Sequence, residues 1–154
     1  MYNTSVLEAG LATIQNFLSG FTLDAPADLS RRDVQERLSG AAITGFFRMA
    51  EAWGLRDEDA RQLLGGMSNG AFYQLKRGGR KTLDQDRLTR ISLLLGIFKA
   101  LNILYSRRLA DAWITRPNTN PMFAGEAPVA YMVRGGVPAL MRVRQLLDAR
   151  RGGR

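Results

Sequence analysis

Two residue types are missing altogether. The 154-residue chain contains no cysteine and no histidine, which excludes thiolate nucleophiles, disulfides, the usual nucleophile–imidazole pairs, and metal sites built on imidazole or thiolate. An enzyme made from this chain would have to work with carboxylates, Lys, Ser or Tyr, and Asp111, Glu126 and Asp148 have no paired acid in the sequence to divide acid and base roles. The expectation is a protein without catalytic residues, metal, cofactor or small-molecule substrate. Long apolar runs are absent too. The longest, Leu93-Leu94-Leu95-Gly96-Ile97-Phe98, stops at Lys99, far short of the roughly 20 residues that span a bilayer. No basic region precedes the apolar residues at the N-terminus, so no export signal is expected. Together with the lack of cysteine, this favours a cytoplasmic protein with no membrane partner.

What is present fits a folded domain: 45% of residues are hydrophobic and 23% charged, close to ordinary globular usage. The net charge is +8, and its distribution is uneven. Residues 1–59 carry nine acids against five Arg, whereas residues 60–108 carry ten Lys and Arg against Asp84 and Asp86 alone. Residues 109–154 carry seven Arg against three acids. A basic excess concentrated in one stretch marks a surface for phosphate-rich partners.

Apolar residues at helical spacing recur along the chain. Val6, Leu7, Leu11, Ile14, Phe17 and Leu18 suggest a first amphipathic helix over 3–21, followed by a turn or linker around Pro26. Ser30-Arg31-Arg32-Asp33 reads as a helix start that Ser39-Gly40 interrupts, and a further helix is expected over 42–53, stopped by Gly54. Its stripe of Phe46, Phe47 and Trp53 reads as core. Residues 57–64 form the next expected helix, with three acids in the first turn where the macrodipole favours them.

The stretch 65–78, Gly-Gly-Met-Ser-Asn-Gly-Ala-Phe-Tyr-Gln-Leu-Lys-Arg-Gly, then reads as a turn and a short second helix. Helix, Gly-containing turn, helix and basic flank are the parts of a helix-turn-helix, whose second helix reads the major groove. The usual pattern places a small residue four positions before the turn glycine. Here Arg61 holds that place and Ala60 lies one position earlier, so the turn carries an extra residue. Ser68 is the expected N-cap, Ala71, Phe72 and Leu75 turn inward, and Asn69, Tyr73, Gln74 and Arg77 face out. Asn and Gln match adenine edges and Arg matches guanine. Lys76, Arg80 and Lys81 are assigned to phosphates, which position the protein without specifying sequence. The expected DNA-binding set is thus Ser68, Asn69, Tyr73, Gln74, Lys76, Arg77, Arg80 and Lys81.

Thr82 or Asp84 caps the next helix, after which apolar residues from Leu88 to Leu109 extend almost unbroken to Trp113, as one long helix or two nearly continuous ones. This segment is apolar on more than one side. It either packs entirely within the monomer or meets a second copy, and a two-fold operator favours a homodimer.

From Leu109 the texture changes. Pro117 ends a helix, 118–125 reads as an ordered loop, Pro128 starts another helix, Gly135-Gly136 breaks it, and a last helix follows over 137–150 with Leu140, Val143, Leu146 and Leu147 inward. The ordered series Trp113, Pro117-Asn118, Phe123, Gly125, Pro128 and Gly135-Gly136 resembles the toxin-binding domain of the Xre/MbcA/ParS-like antitoxins, and the preceding helix-turn-helix extends the resemblance to about two thirds of the chain. The resemblance implies an all-α protein, an N-terminal Xre-like helix-turn-helix domain followed by a small helical toxin-binding domain. Residues 1–40 are expected to form an extension or arm, 41–108 the DNA-binding domain with a long dimerisation helix, and 109–154 the toxin-binding domain.

The same resemblance implies the antitoxin of a type II toxin-antitoxin pair, with a RES-domain toxin that consumes NAD as partner and operator DNA as second target. Trp113, Pro117, Asn118 and Gly125 are read as scaffold. The toxin-binding set is Arg144, Arg150, Arg151 and Arg154, the last three on a basic, flexible tail suited to a cleft that binds a phosphate-rich dinucleotide. The alternative is a stand-alone helix-turn-helix regulator or localisation adaptor that binds a different protein through the same C-terminal surface.

Overall fold

The computed structural model describes residues 27–152, so the helix expected over 3–21 and the tail residue Arg154 lie outside the described residues. Six α-helices and one 3-10 turn account for the regular structure there: α1 Arg32–Ala52, α2 Asp57–Leu63, α3 Asn69–Lys76, α4 Gln85–Leu104, α5 Arg107–Trp113, the 3-10 turn Pro121–Phe123, and α6 Pro128–Arg151. The described chain is all-helical, as expected.

Helix α1 departs from the sequence reading, because it runs through Ser39-Gly40 without interruption. A serine in mid-helix competes with the backbone only if its hydroxyl stays local. Here the Ser39 hydroxyl donates to the Gln35 carbonyl oxygen at 2.6 Å and accepts from the Leu83 amide at 2.8 Å. The buried hydroxyl therefore satisfies a loop amide instead of ending the helix.

The next three helix ends share one geometry. After α1, α2 and α3 the first residue beyond the cap bonds back three positions and the following one bonds back five: Gly54 to Glu51 and Leu55 to Ala50, Gly65 to Gln62 and Gly66 to Arg61, Gly78 to Leu75 and Gly79 to Gln74. These are Schellman closures, which require a left-handed residue just past the helix. Gly65 has φ +92° and Gly78 φ +95°, values that only glycine adopts without strain. The helix-turn-helix is thus held by paired closures at the ends of both its helices. The extra turn residue is accommodated in the left-handed pair Gly65-Gly66.

Helix α4 is the axis of the fold. It packs against α1, α5 and α6, and Leu88, Ile91, Leu94, Leu95, Ile97, Phe98, Ala100 and Leu101 are all buried. Its apolar residues on several sides meet α1, α5 and α6, whereas Ile103 near its end is exposed. The Asp84 side chain caps it by accepting from the Arg87 amide at 2.9 Å. It ends at Leu104, where Tyr105 is extended, so the segment reaching Trp113 is two helices. Gly96 of α4 lies under the Arg144 guanidinium of α6, and a Cβ there would overlap its Nη1.

Beyond α5 the chain folds around a short aromatic ladder. Phe123 stands edge-on between Trp113, at 5.8 Å, and Tyr131, at 5.4 Å. The loop is tied by Asn118 Oδ1 accepting from the Asn120 amide and Asn120 Oδ1 from the Met122 amide. The Val129 amide donates to the Ile114 carbonyl at 3.0 Å. Pro128 occupies the first position of α6, and the helix breaks at Gly136, with φ 64° and ψ −150°.

Candidate DNA-reading face and toxin-binding surface

Helix α3 presents the face the sequence assigned to it. Phe72 and Leu75 are buried, Ala71 is half-buried, and Asn69, Tyr73, Gln74, Lys76 and Arg77 are exposed. Ser68 caps the helix, its hydroxyl accepting from the Ala71 amide at 3.2 Å. The hydroxyl is therefore occupied by the fold.

The exposed residues fall into two groups. Tyr73 donates its hydroxyl to Asp57 Oδ2 at 3.1 Å, and Lys76 Nζ lies 2.6 Å from Asp57 Oδ1. Both are tied to the first turn of α2, and these hydrogen bonds, that of Lys76 foremost, hold the Asp57 carboxyl below its usual range. Asp57 stays ionised, and its charge is offset by the ion pair with Lys76, which lessens the repulsion an approaching phosphate would meet. Nothing in the one-dimensional pattern reveals this contact, because Asp57 lies 19 residues before Lys76 and reads in sequence only as a first-turn acid. Asn69, Gln74 and Arg77 form the other group. Their side chains have no partner among the described residues, and the same holds for Arg80 and Lys81 in the loop that follows.

In the C-terminal half, Arg144 is engaged internally. Its guanidinium lies over Gly96 of α4 and pairs with Asp148 at 3.0 Å. Arg150 and Arg151 belong to the last turn of α6 and not to an extended tail. Arg150 donates to the Tyr105 hydroxyl at 3.1 Å, whereas Arg151 stands 3.9 Å from Asp148. The end of α6 is thus joined to the junction of α4 and α5.

That junction opens into a groove of about 250 Å3 lined by Tyr105, Leu109, Trp113, Arg116, Pro117 and Asn118. Leu109 in its lining is 53% exposed, and with Tyr105, Trp113 and Pro117 it makes the groove mainly apolar. Arg116 in its lining is exposed, as are Arg107 and Arg108 at the start of α5, and none of the three forms a salt bridge among the described residues. The periodicity that groups Leu109 with the apolar run of α4 does not reveal this groove, because Leu109 lies on the outer face of α5, between exposed Arg108 and buried Ala110.

Asp111 lies on the same helix and points the other way in energy. It is 5% exposed, and neither carboxylate oxygen has a hydrogen-bond partner. Burial raises its pKa to about 6 against the opposing pull of Arg107.

A groove-sized helix with free polar side chains, standing on a helical core that continues into a second unit with an exposed apolar groove, defines a DNA-binding domain joined to a protein-binding domain. Comparison with known proteins makes this specific. Residues 32–96 match the antitoxin Xre-like helix-turn-helix domain, and residues 100–153 match the antitoxin Xre/MbcA/ParS C-terminal toxin-binding domain. The uncharacterized protein y4oB of Sinorhizobium fredii (strain NBRC 101917 / NGR234) is 42% identical over 114 residues, covering 73% of this chain and 86% of that protein. No solved structure matches. The chain belongs to the Xre/MbcA/ParS antitoxin family, with a helix-turn-helix domain and a toxin-binding domain. Among the described residues no helix is long and apolar enough to cross a membrane, and no cluster of acids is placed to hold a metal ion.

Proposed function

We propose that this protein is the antitoxin of a type II pair that neutralises a RES-domain, NAD-consuming toxin by covering its active site and represses its own operon as a cytoplasmic homodimer, without catalysis or cofactor. The observation that carries the neutralising half is the apolar groove of Tyr105, Leu109 and Trp113, rimmed by unpaired Arg116 and by Arg150, inside the domain matched to toxin binding. An apolar centre with an Arg rim has the composition of a protein interface core. Arg150, bonded to the Tyr105 hydroxyl, supplies positive charge at its edge, Arg151 lies one residue further on in α6, and Arg144 lies over Gly96 of α4; Arg154 keeps its place in the proposed toxin-binding set on the sequence pattern alone. The RES identity of the toxin rests on the family resemblance of the C-terminal segment.

The DNA half rests on Asn69, Gln74 and Arg77, free and exposed on one short helix, with Ser68 as its cap and Tyr73 and Lys76 anchored to Asp57 beside them. Arg80 and Lys81 supply phosphate contacts. A single eight-residue helix reads few base pairs, so two copies are needed for a site of useful specificity.

Co-expression with the neighbouring reading frame tests the first half. Growth and NAD level should be restored by the unsubstituted chain and fail to recover with Leu109→Asp, and rescue by that variant to the same extent would remove the groove from the interface. Deleting residues 150–154 should weaken neutralisation and leave DNA binding intact. The double variant Gln74→Ala, Arg77→Ala should abolish retention of the upstream DNA without loss of helicity. If neutralisation fails while the unsubstituted chain still retains the upstream DNA and the groove binds a different protein, the stand-alone regulator or adaptor replaces the antitoxin.

A further inference from the structure

A second basic feature lies outside the reading helix. Helix α1 and the loop following α3 enclose an open cleft of about 680 Å3, lined on one side by Arg37, Gly40 and Thr44 and on the other by Gly79, Arg80 and Lys81. Its width is fixed. Ser39 on the floor bonds both its own helix and the Leu83 amide at the end of the loop. At the near end the loop is closed onto α3 through the Gly79 amide and the Gln74 carbonyl, an approach so tight that a Cβ on Gly79 would stand 2.6 Å from that oxygen.

The electrostatics of the cleft have one sign. Arg37, Arg80 and Lys81 are exposed, and none has an ion-pair partner among the described residues. The acid in the lining, Glu36, is taken up by Arg32 at 3.1 Å. Gly40 leaves the α1 backbone open, with no atom within 4 Å of where its Cβ would be, and the exposed Thr44 offers a hydroxyl one turn further on. Three unpaired cations carried by two elements whose backbones are tied together through Ser39 and Leu83, around small residues, match a compact, multiply oxygenated anion such as a phosphate.

The position of the cleft selects the source of that phosphate. The loop 78–82 begins where α3 ends, and a helix seated in a major groove about 12 Å wide has its ends beside the sugar–phosphate strands that border the groove. We infer that the cleft is a phosphate clamp: Arg37 of α1 closes from one side, Arg80 and Lys81 from the other, on a backbone phosphate of the DNA that α3 enters. The inference rests on the DNA-binding reading and adds α1, a helix outside the helix-turn-helix, to the contact. Its consequence is register, since a phosphate gripped from two elements fixes the angle at which α3 enters the groove.

The test is fluorescence anisotropy of the full chain with two labelled duplexes of equal length, one from immediately upstream of its own gene and one of scrambled sequence, across a salt series. Arg37→Gln should make the plot of log affinity against log salt shallower by about 0.9 and weaken binding about five-fold at physiological salt on both duplexes alike, the amounts expected for one lost phosphate contact. Arg142→Gln, the same charge change on the exposed face of α6, should leave the slope unchanged. Thr44→Glu, which places a carboxylate in the cleft, should weaken both duplexes more than Arg37→Gln does, with an unaltered thermal transition. An unchanged slope for Arg37→Gln, or a loss confined to the upstream duplex, would overturn the clamp while leaving the reading helix in place. No binding of either duplex by the unsubstituted chain would remove both readings. Stabilisation of the unsubstituted chain by inorganic phosphate, abolished in Arg37→Gln while duplex binding is unaffected, would assign the cleft to a free anion and also overturn the clamp.

Discussion

Replacing Asp111 by Asn is expected to stabilise the protein above pH 6 and to leave it almost unchanged at pH 4. Asp111 is 5% exposed, and both of its carboxylate oxygens are buried without a partner. Burial raises its pKa from 3.8 to about 6. A raised folded-state pKa means that the folded protein binds the proton more tightly than the unfolded chain, so stability is fully present below the unfolded value and is lost as pH rises towards the folded one. The shift from 3.8 to about 6 corresponds to a cost of about half a kcal/mol at pH 4 that grows to about 3 kcal/mol from pH 7 upward. Asparagine keeps the shape and loses the charge, so its advantage over Asp should follow that curve. Urea unfolding of both proteins at a series of pH values reads it directly, as a difference in midpoint that opens between pH 4 and pH 7 and then stays constant. A midpoint difference independent of pH would show that Asp111 finds a partner or water in solution and would refute the assignment of its burial as the cause.

Further expectations follow from the helix closures and the α4–α6 contact. Gly65→Val places a branched side chain at φ +92° with its Cβ 3.2 Å from Nε of Arg90; it should cost about 2 kcal/mol or more and weaken DNA retention with it, and full stability in urea would contradict the closure argument. Gly96→Ala should stay within about 1 kcal/mol of the parent, because the gain in helix propensity offsets displacement of the partly exposed Arg144–Asp148 pair. Gly96→Leu cannot be relieved by moving one guanidinium and should destabilise by about 1–3 kcal/mol; equal melting temperatures for the Ala and Leu variants would show that α4 and α6 do not approach as described.

Much of this architecture was legible in the sequence because its signals are local. Ser68 as a cap, Gly54 as a stop, Pro128 as a first helical residue and a break at Gly135-Gly136 each depend on a few neighbouring residues and are found where the pattern placed them, and of the two candidate caps Thr82 and Asp84 it is Asp84 that caps α4. The misreading at Ser39-Gly40 has the opposite cause. The sequence shows a helix-weakening pair, whereas the structure supplies a partner 44 residues away, the Leu83 amide, that gives the serine a tertiary role. The candidate site divides the same way. The inward and outward faces of α3 follow from periodicity, but the anchoring of Tyr73 and Lys76 on Asp57, the packing of Arg144 over Gly96 and the capture of Arg150 by Tyr105 are long-range contacts. Charged residues read alike in sequence whether they are free or paired, so the basic count located the surface without separating its free cations from its anchored ones.

The two family-matched regions share one core, and a helix-turn-helix fragment ending at residue 104 is expected not to fold by itself. Helix α4 lies inside the first region for most of its length, yet α6 of the second packs along it more extensively than any other helix. Arg90 sits beside the Gly65 turn and also within 3.9 Å of the Cβ position of Gly136 at the α6 break, so both regions border the same guanidinium. Leu140, Val143 and Leu147 of α6 are fully buried, and at about 1.5–3 kcal/mol for each such side chain their loss alone removes about 5–9 kcal/mol, comparable to the whole stability of a small domain, about 5–15 kcal/mol. The fragment should therefore show little cooperative thermal transition by circular dichroism and should not retain upstream DNA, although it contains every residue of α3. A cooperative transition and undiminished DNA affinity in the fragment would mean that α4 is satisfied without α6, and that the toxin-binding half is an appendage and not part of the domain that reads the operator.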